Sequence, residues 1–209
     1  MLWYCVVVGD HHTMPLLIAG IALFMALHVV PTAPNVRAEL RGKMGPSGYL
    51  LVFSIISLVS LIMIAKGYGD ARSAGRVQLW YPPAFMRHIT LALMLPAFIL
   101  LAAAYIPSRI RTAVKHPMLT AIKIWALGHL LVRGDLASVV LFGSFLAFGV
   151  FDRISVKKRG ALGPLGAATG TARGDVLAIV VGTLAYVVML LWGHWALIGV
   201  PLVAFSFAP

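Results

Sequence analysis

Six apolar runs, separated by short stretches rich in proline, glycine and basic residues, leave this chain one kind of fold. Hydrocarbon offers no water to a backbone N–H or C=O, so a segment that enters it satisfies those groups internally, as a helix does. The runs extend from about Leu16 to Val30, Gly48 to Ala65, Pro83 to Ile106, Pro117 to Val132, Leu136 to Phe151 and Asp175 to Val200. The expected fold is all-α: a multi-pass membrane helix bundle of about six transmembrane helices. Composition agrees, since 61% of residues are hydrophobic and 11% charged, whereas a soluble domain has about a quarter charged. A single transmembrane domain is expected over 14–201, followed by a short tail over 202–209. Residues 1–13 read as an over-extended start or a short tail. They lack the basic region and cleavage site of a signal peptide, so His11 and His12 carry little weight.

The net charge of +11 does not point to nucleic acid. The basic residues lie almost entirely between the apolar runs with few aromatics among them, the pattern of membrane topology. Numbering the loops in order, and counting Arg87 near the start of span 3 with loop 2, loops 1, 3 and 5 hold three, three and five Lys and Arg, and loops 2 and 4 hold four and one. The positive-inside rule then places loops 1, 3 and 5 in the cytoplasm and both termini outside. Trp80 and Tyr81 suit the membrane boundary, Pro96 is expected to kink span 3, and the short link Arg133–Asp135 makes spans 4 and 5 an antiparallel hairpin. Ser54, Ser57 and Ser60 read as a small-residue packing stripe, and Gly143 with Ala147 as a close helix contact.

Cys5 is the only cysteine, which excludes an intramolecular disulfide, an all-cysteine metal site and a Cys-x-x-Cys-His haem attachment. All six acidic residues fall outside or at the ends of the apolar runs, which disfavours carboxylate relays and paired-carboxylate catalysis. No zinc-hydrolase motif is present, and a transporter is disfavoured by the lack of intramembrane carboxylates and of inverted repeats.

Beyond Arg87 near the start of span 3, the basic groups inside the runs are the histidines and Lys123. The topology sorts the histidines into two levels. His28 and His116 lie at the cytoplasmic side, and His88, His129 and His194 toward the other. Two imidazoles from different helices are what a haem b requires. His116 precedes Pro117, so it belongs at the N-cap of span 4, where the helix dipole favours the neutral, metal-binding ring. His28 and His116 are therefore the candidate metal ligands. Lys123 lies seven residues on, on nearly the same helix face, placed to meet a propionate or to snorkel toward the boundary. His129 falls on roughly the opposite face from His116, so the two should not hold one ion. His129 and His194 remain candidate cofactor contacts, against the plainer reading of interfacial groups bonded to water or carbonyls.

Several short motifs carry a family resemblance: His28; Gly67-Tyr68-Gly69; Trp80-Tyr81-Pro82-Pro83 with Arg87-His88; Lys115-His116-Pro117-Met118; Lys123-Ile124-Trp125-Ala126 with His129-Leu130; Phe142-Gly143-Ser144-Phe145; and Asp152-Arg153-Ile154-Ser155. From about Pro15 to Pro201 the chain resembles the NnrU family of bacterial inner-membrane proteins. The resemblance implies a link to denitrification, through expression of nitrite and nitric oxide reductases, with a respiratory reductase as the partner. It also implies kinship with 15-cis-zeta-carotene isomerase, a haem b membrane enzyme with a similar first-span histidine and His-Pro element. On that branch the substrate is an apolar polyene. Here the Arg111–Lys115 neighbourhood lacks the cysteine found near the isomerase's His-Pro. A weaker likeness to membrane methyltransferases fails on Lys115 in place of arginine and on missing C-terminal acidic and aromatic residues. Three readings stand: a haem-binding protein of denitrification, a haem-dependent polyene isomerase, and an accessory protein without cofactor whose basic loops meet a partner.

Overall fold

The computed structural model describes residues 14–203. The proposed start at 1–13, with His11 and His12, and the end of the tail at 204–209 lie outside the described residues. Eight helices make up the described fold: α1 Pro15–Val29, α2 Pro34–Ser73, α3 Met86–Ala103, α4 Arg109–Val114, α5 Pro117–Val132, α6 Leu136–Lys158, α7 Ala172–Val188 and α8 His194–Ile198. Five helical stretches are long and apolar enough to cross a membrane, and α5 is a shorter apolar one. The multi-pass helical bundle expected from the sequence is the fold observed.

Proline places several of the boundaries. Pro15, Pro34 and Pro117 open α1, α2 and α5, where the missing N–H would have no partner anyway. Polar side chains cap three other helices: Ser108 accepts from the Arg111 N–H, Asp135 from that of Ser138 and Thr171 from that of Gly174.

Three expectations need correction. Thr32–Ser47 is not a loop. After a 3₁₀ turn at Val30–Thr32, helix resumes at Pro34, and α2 bends only at Gly45, which takes φ 71° and ψ 163° ahead of Pro46. The residue before a proline is driven out of the helical region, and glycine is the residue that most easily takes a positive φ there. The exposed first segment carries Arg37, Glu39, Arg41 and Lys43, with a Glu39–Lys43 ion pair of 2.6 Å. Second, the loop after span 5 starts later than expected, because α6 continues to Lys158. Third, the close approach on α6 is made by Gly149, not by Gly143 and Ala147. A Cβ on Gly149 would meet the Lys123 stem at 3.0 Å, whereas nothing lies near Gly143 and Ala147 is exposed. Of the serine stripe, Ser57 and Ser60 turn inward and Ser54 outward. A step of three residues drifts around a 3.6-residue helix.

In space the spans run α7–α3–α5–α6–α1–α2. Glycines set the closest contacts. Gly67 of α2 lies against the Leu17 backbone, Gly20 of α1 against Ile64, and Gly182 of α7 against Ile99. Between helices in lipid, close packing of this kind takes the place of the hydrophobic effect. The buried Thr90 hydroxyl adds a 2.8 Å bond to the Gly128 carbonyl, joining α3 to α5.

Loop contacts confirm which ends lie together. At one end Leu79 N–H donates to Gly134 O at 2.7 Å and Leu136 N–H to Val77 O at 2.9 Å, joining loops 2 and 4. At the other, here the basic end, Thr171 N–H donates to Pro107 O, Ile110 N–H to the Asp175 carboxylate, and Arg159 to Pro31 O at 2.9 Å. Loops 1, 3 and 5 therefore share the basic end.

Candidate functional site

The basic end is built around α6. Its Asp152 lies one residue beyond the apolar stretch and forms a 3.7 Å ion pair with Arg159. Arg159 in turn holds the end of α1 through Pro31 O. Asp152 shares a cavity wall with His116, and its partner Arg159 reaches the turn that follows His28.

His28 sits in the last turn of α1. Its Nδ1 is 2.8 Å from the Phe24 carbonyl. A carbonyl only accepts, so Nδ1 carries the proton and Nε2 keeps its lone pair. The ring stacks on Phe24 at 3.9 Å and meets Phe53 and Phe148 edge-on. This is how metal-ligating histidines are oriented: one nitrogen bonded to the protein, the other presented.

His116 is the N-cap of α5, as its place before proline predicts. Burial holds its pKa below the ordinary value of 6.5, Arg153 and Lys115 push the same way, and Asp152 opposes them. The ring is therefore neutral at pH 7, the form that binds a metal. Carbon-13 NMR of the histidine Cε1 resonances should show a His116 midpoint below 6.5. Asp152→Asn should move it lower, by removing the one opposing charge, and Arg153→Gln should move it higher.

His116 lines two cavities, of about 460 and about 150 Å³, and Asp152 lines the smaller. His28 lines neither. The candidate pair is joined through Asp152 rather than by a shared cavity.

The other candidates divide. Lys123 lays its stem across Gly149, one helical turn before Asp152. Among the described residues no carboxylate pairs with it. His129 is not across from His116. Both lie against α6, His129 stacked at 4.6 Å on Phe142 near its start and His116 by Asp152 near its end. An N-cap residue with φ −133° and ψ 68° does not follow the rotation of the helix behind it. The His129 Nδ1 donates to Trp125 O, and that of His194 to Val200 O at 2.7 Å. These two lie within reach of each other's charge at the far end. His88 is exposed.

Sequence reasoning missed Asp152 and Arg159 as the link between the two histidines. The signal was present: an Asp at the close of an apolar run, followed seven residues later by an Arg on the same helical face.

The described residues contain no cluster of three or more His, Cys, Asp or Glu fit to hold a bare metal ion. What they offer instead is two imidazoles from separate helices, one fixed by a carbonyl and one kept neutral. Imidazoles from different helices are the donors a haem b requires.

The family model described as NnrU protein matches residues 16–202. The chain belongs to the NnrU family. No curated protein and no solved structure matches it. The NnrU match takes in the described helices from the second residue of α1 onward, and with them His28, His116, Lys123, His129 and His194.

Proposed function

We propose that this NnrU protein binds haem b through His28 and His116, in a bacterial inner membrane, and acts in denitrification in support of nitrite or nitric oxide reductase. The observation that carries this reading is the pair of imidazoles at the basic end, His28 with its Nδ1 bonded to the Phe24 carbonyl and His116 at the N-cap of α5 on a cavity wall with Asp152. When bound, the haem, which His28 and His116 would hold, would supply a one-electron centre able to take nitric oxide.

The chain's own residues do the positioning. Phe24 O fixes the tautomer of His28, and Phe24, Phe53 and Phe148 hold its ring. Arg159 ties α1 to α6, and so His28 to Asp152. Lys123, whose stem lies by Gly149, would be the cation that meets a propionate.

Visible spectra of the detergent-purified protein, oxidised and dithionite-reduced, test this directly. The expected result is a sharp Soret band with split reduced bands after expression with ample haem. A colourless protein under those conditions overturns the proposal and leaves the accessory reading, in which cross-linking identifies the partner.

A further inference from the structure

The larger cavity at the basic end has lining charges of one sign only. Arg111, Lys115, Arg153 and Lys157 face it, with His116 beside them. Among the described residues no carboxylate pairs with Lys115, Arg153 or Lys157. Arg111 serves a different purpose. It is 7% exposed, and its guanidinium donates to the Ala168 and Gly166 carbonyls, pinning the 160–168 loop as the cavity wall. Arg153 and Lys157 are four residues apart on α6 and so share a face.

Lys115 is held in an uncommon way. It is the one described non-glycine residue with positive φ, at 65° with ψ −45°. The His116 N–H donates back to Val114 O at 2.8 Å, closing a γ-turn around it. This turn is strained for an L-residue, and such strain gathers where a ligand is held.

The smaller cavity shares Arg111, Lys115 and His116 with the larger one and continues past Pro117, Met118 and Leu119, the apolar start of α5; the one carboxylate on its wall, Asp152, is paired with Arg159. A cationic chamber therefore opens onto an apolar recess at the membrane boundary. Cations converging without counter-charge repel one another unless an anion joins them, and basic pockets between membrane helices take phosphate head groups.

We infer that this cavity is a binding site for a phosphate-bearing anion, with the apolar recess taking the first part of an anionic lipid's tail. The inference goes beyond the haem reading and does not depend on it.

The test uses the full chain in neutral detergent, titrated with phosphatidylglycerol, phosphatidylcholine or inorganic phosphate, and counts bound species by native mass spectrometry. Phosphatidylglycerol should bind the parent far better than phosphatidylcholine does. Lys115→Gln, Arg153→Gln and Lys157→Gln should each weaken it roughly fivefold, the worth of one basic residue near an anionic surface, and together roughly a hundredfold. Replacing Arg37, Arg41 and Lys43 by Gln removes the same charge from the exposed start of α2 and should leave binding nearly unchanged. A charge-preserving variant, Lys115→Arg with Arg153→Lys and Lys157→Arg, should retain it, which separates lost charge from lost folding. Inorganic phosphate binding with the same variant pattern supports the site with a soluble anion as its occupant. Equal losses in the two Gln triple variants, or equal binding of phosphatidylcholine, overturn the inference and assign the attraction to the net charge of +11.

Discussion

Purified from haem-replete cells, His28→Ala and His116→Ala should each lose the Soret and reduced α-bands expected of the parent, while His129→Ala and His194→Ala should keep them. Even outer partners of metal ligands are worth roughly 10–100-fold in affinity, so losing a ligand itself should leave almost no bound haem. The far-end histidines are the right controls. His129 is packed on Phe142 and Trp125, and His194 is bonded to Val200 O, so both lie away from Asp152 and its partners. Asp152→Asn should give a third, graded outcome: haem retained but its spectrum or potential shifted, because Asp152 shares a cavity wall with His116 and pairs with the Arg159 that reaches the turn after His28. If both alanine variants keep the full spectrum of a coloured parent, the ligands lie elsewhere.

Gly67→Ala strongly destabilises the protein, and Gly69→Ala does not. The two glycines flank Tyr68, yet they face different surroundings. A Cβ on Gly67 would collide with the backbone of Leu16 and Leu17 on α1, whereas one on Gly69 meets nothing within 4 Å. Backbone cannot rotate out of the way as a side-chain end can, so α1 and α2 must separate along their seam. Overpacking of this kind costs about 1–3 kcal/mol or more. At Gly69, alanine improves helix propensity by up to about 1 kcal/mol. Thermal unfolding in detergent, followed by intrinsic fluorescence, should show a clear drop in midpoint for the first variant and none for the second. Equal behaviour of the pair would contradict the α1–α2 packing.

The spans were legible because a hydrocarbon-crossing segment must be apolar for its whole length, and nothing else in this chain looks like that. The helical stretch at 34–44 was hidden by its content. It carries Gly42 and ends at Gly45-Pro46, residue types that ordinarily interrupt a helix, yet the chain only bends at Gly45 and helix continues on both sides. His116 as N-cap was legible from Pro117 alone, a purely local constraint. The shared role of Asp152 was not, since it depends on α1 and α5 both lying along α6. The basic cavity was hidden for a similar reason. Its wall is the 160–168 loop, and the bonds that fold it back come from Arg111, some 55 positions earlier. Long-range hydrogen bonds of that sort leave no periodic trace in a sequence.

The order of the spans bears on how the protein is made. α3 packs against α5 and α7, both synthesised after it. It therefore enters the bilayer before either partner exists. The surfaces around Thr90, Met94 and Ile99, which later receive Gly128 and Gly182, face lipid or the insertion machinery for as long as translation of the next two segments takes. α1 and α2 form their own glycine seam at once and then wait for α6. During its birth the molecule is thus an early hairpin and a lone third helix, joined only when the second half of the chain arrives.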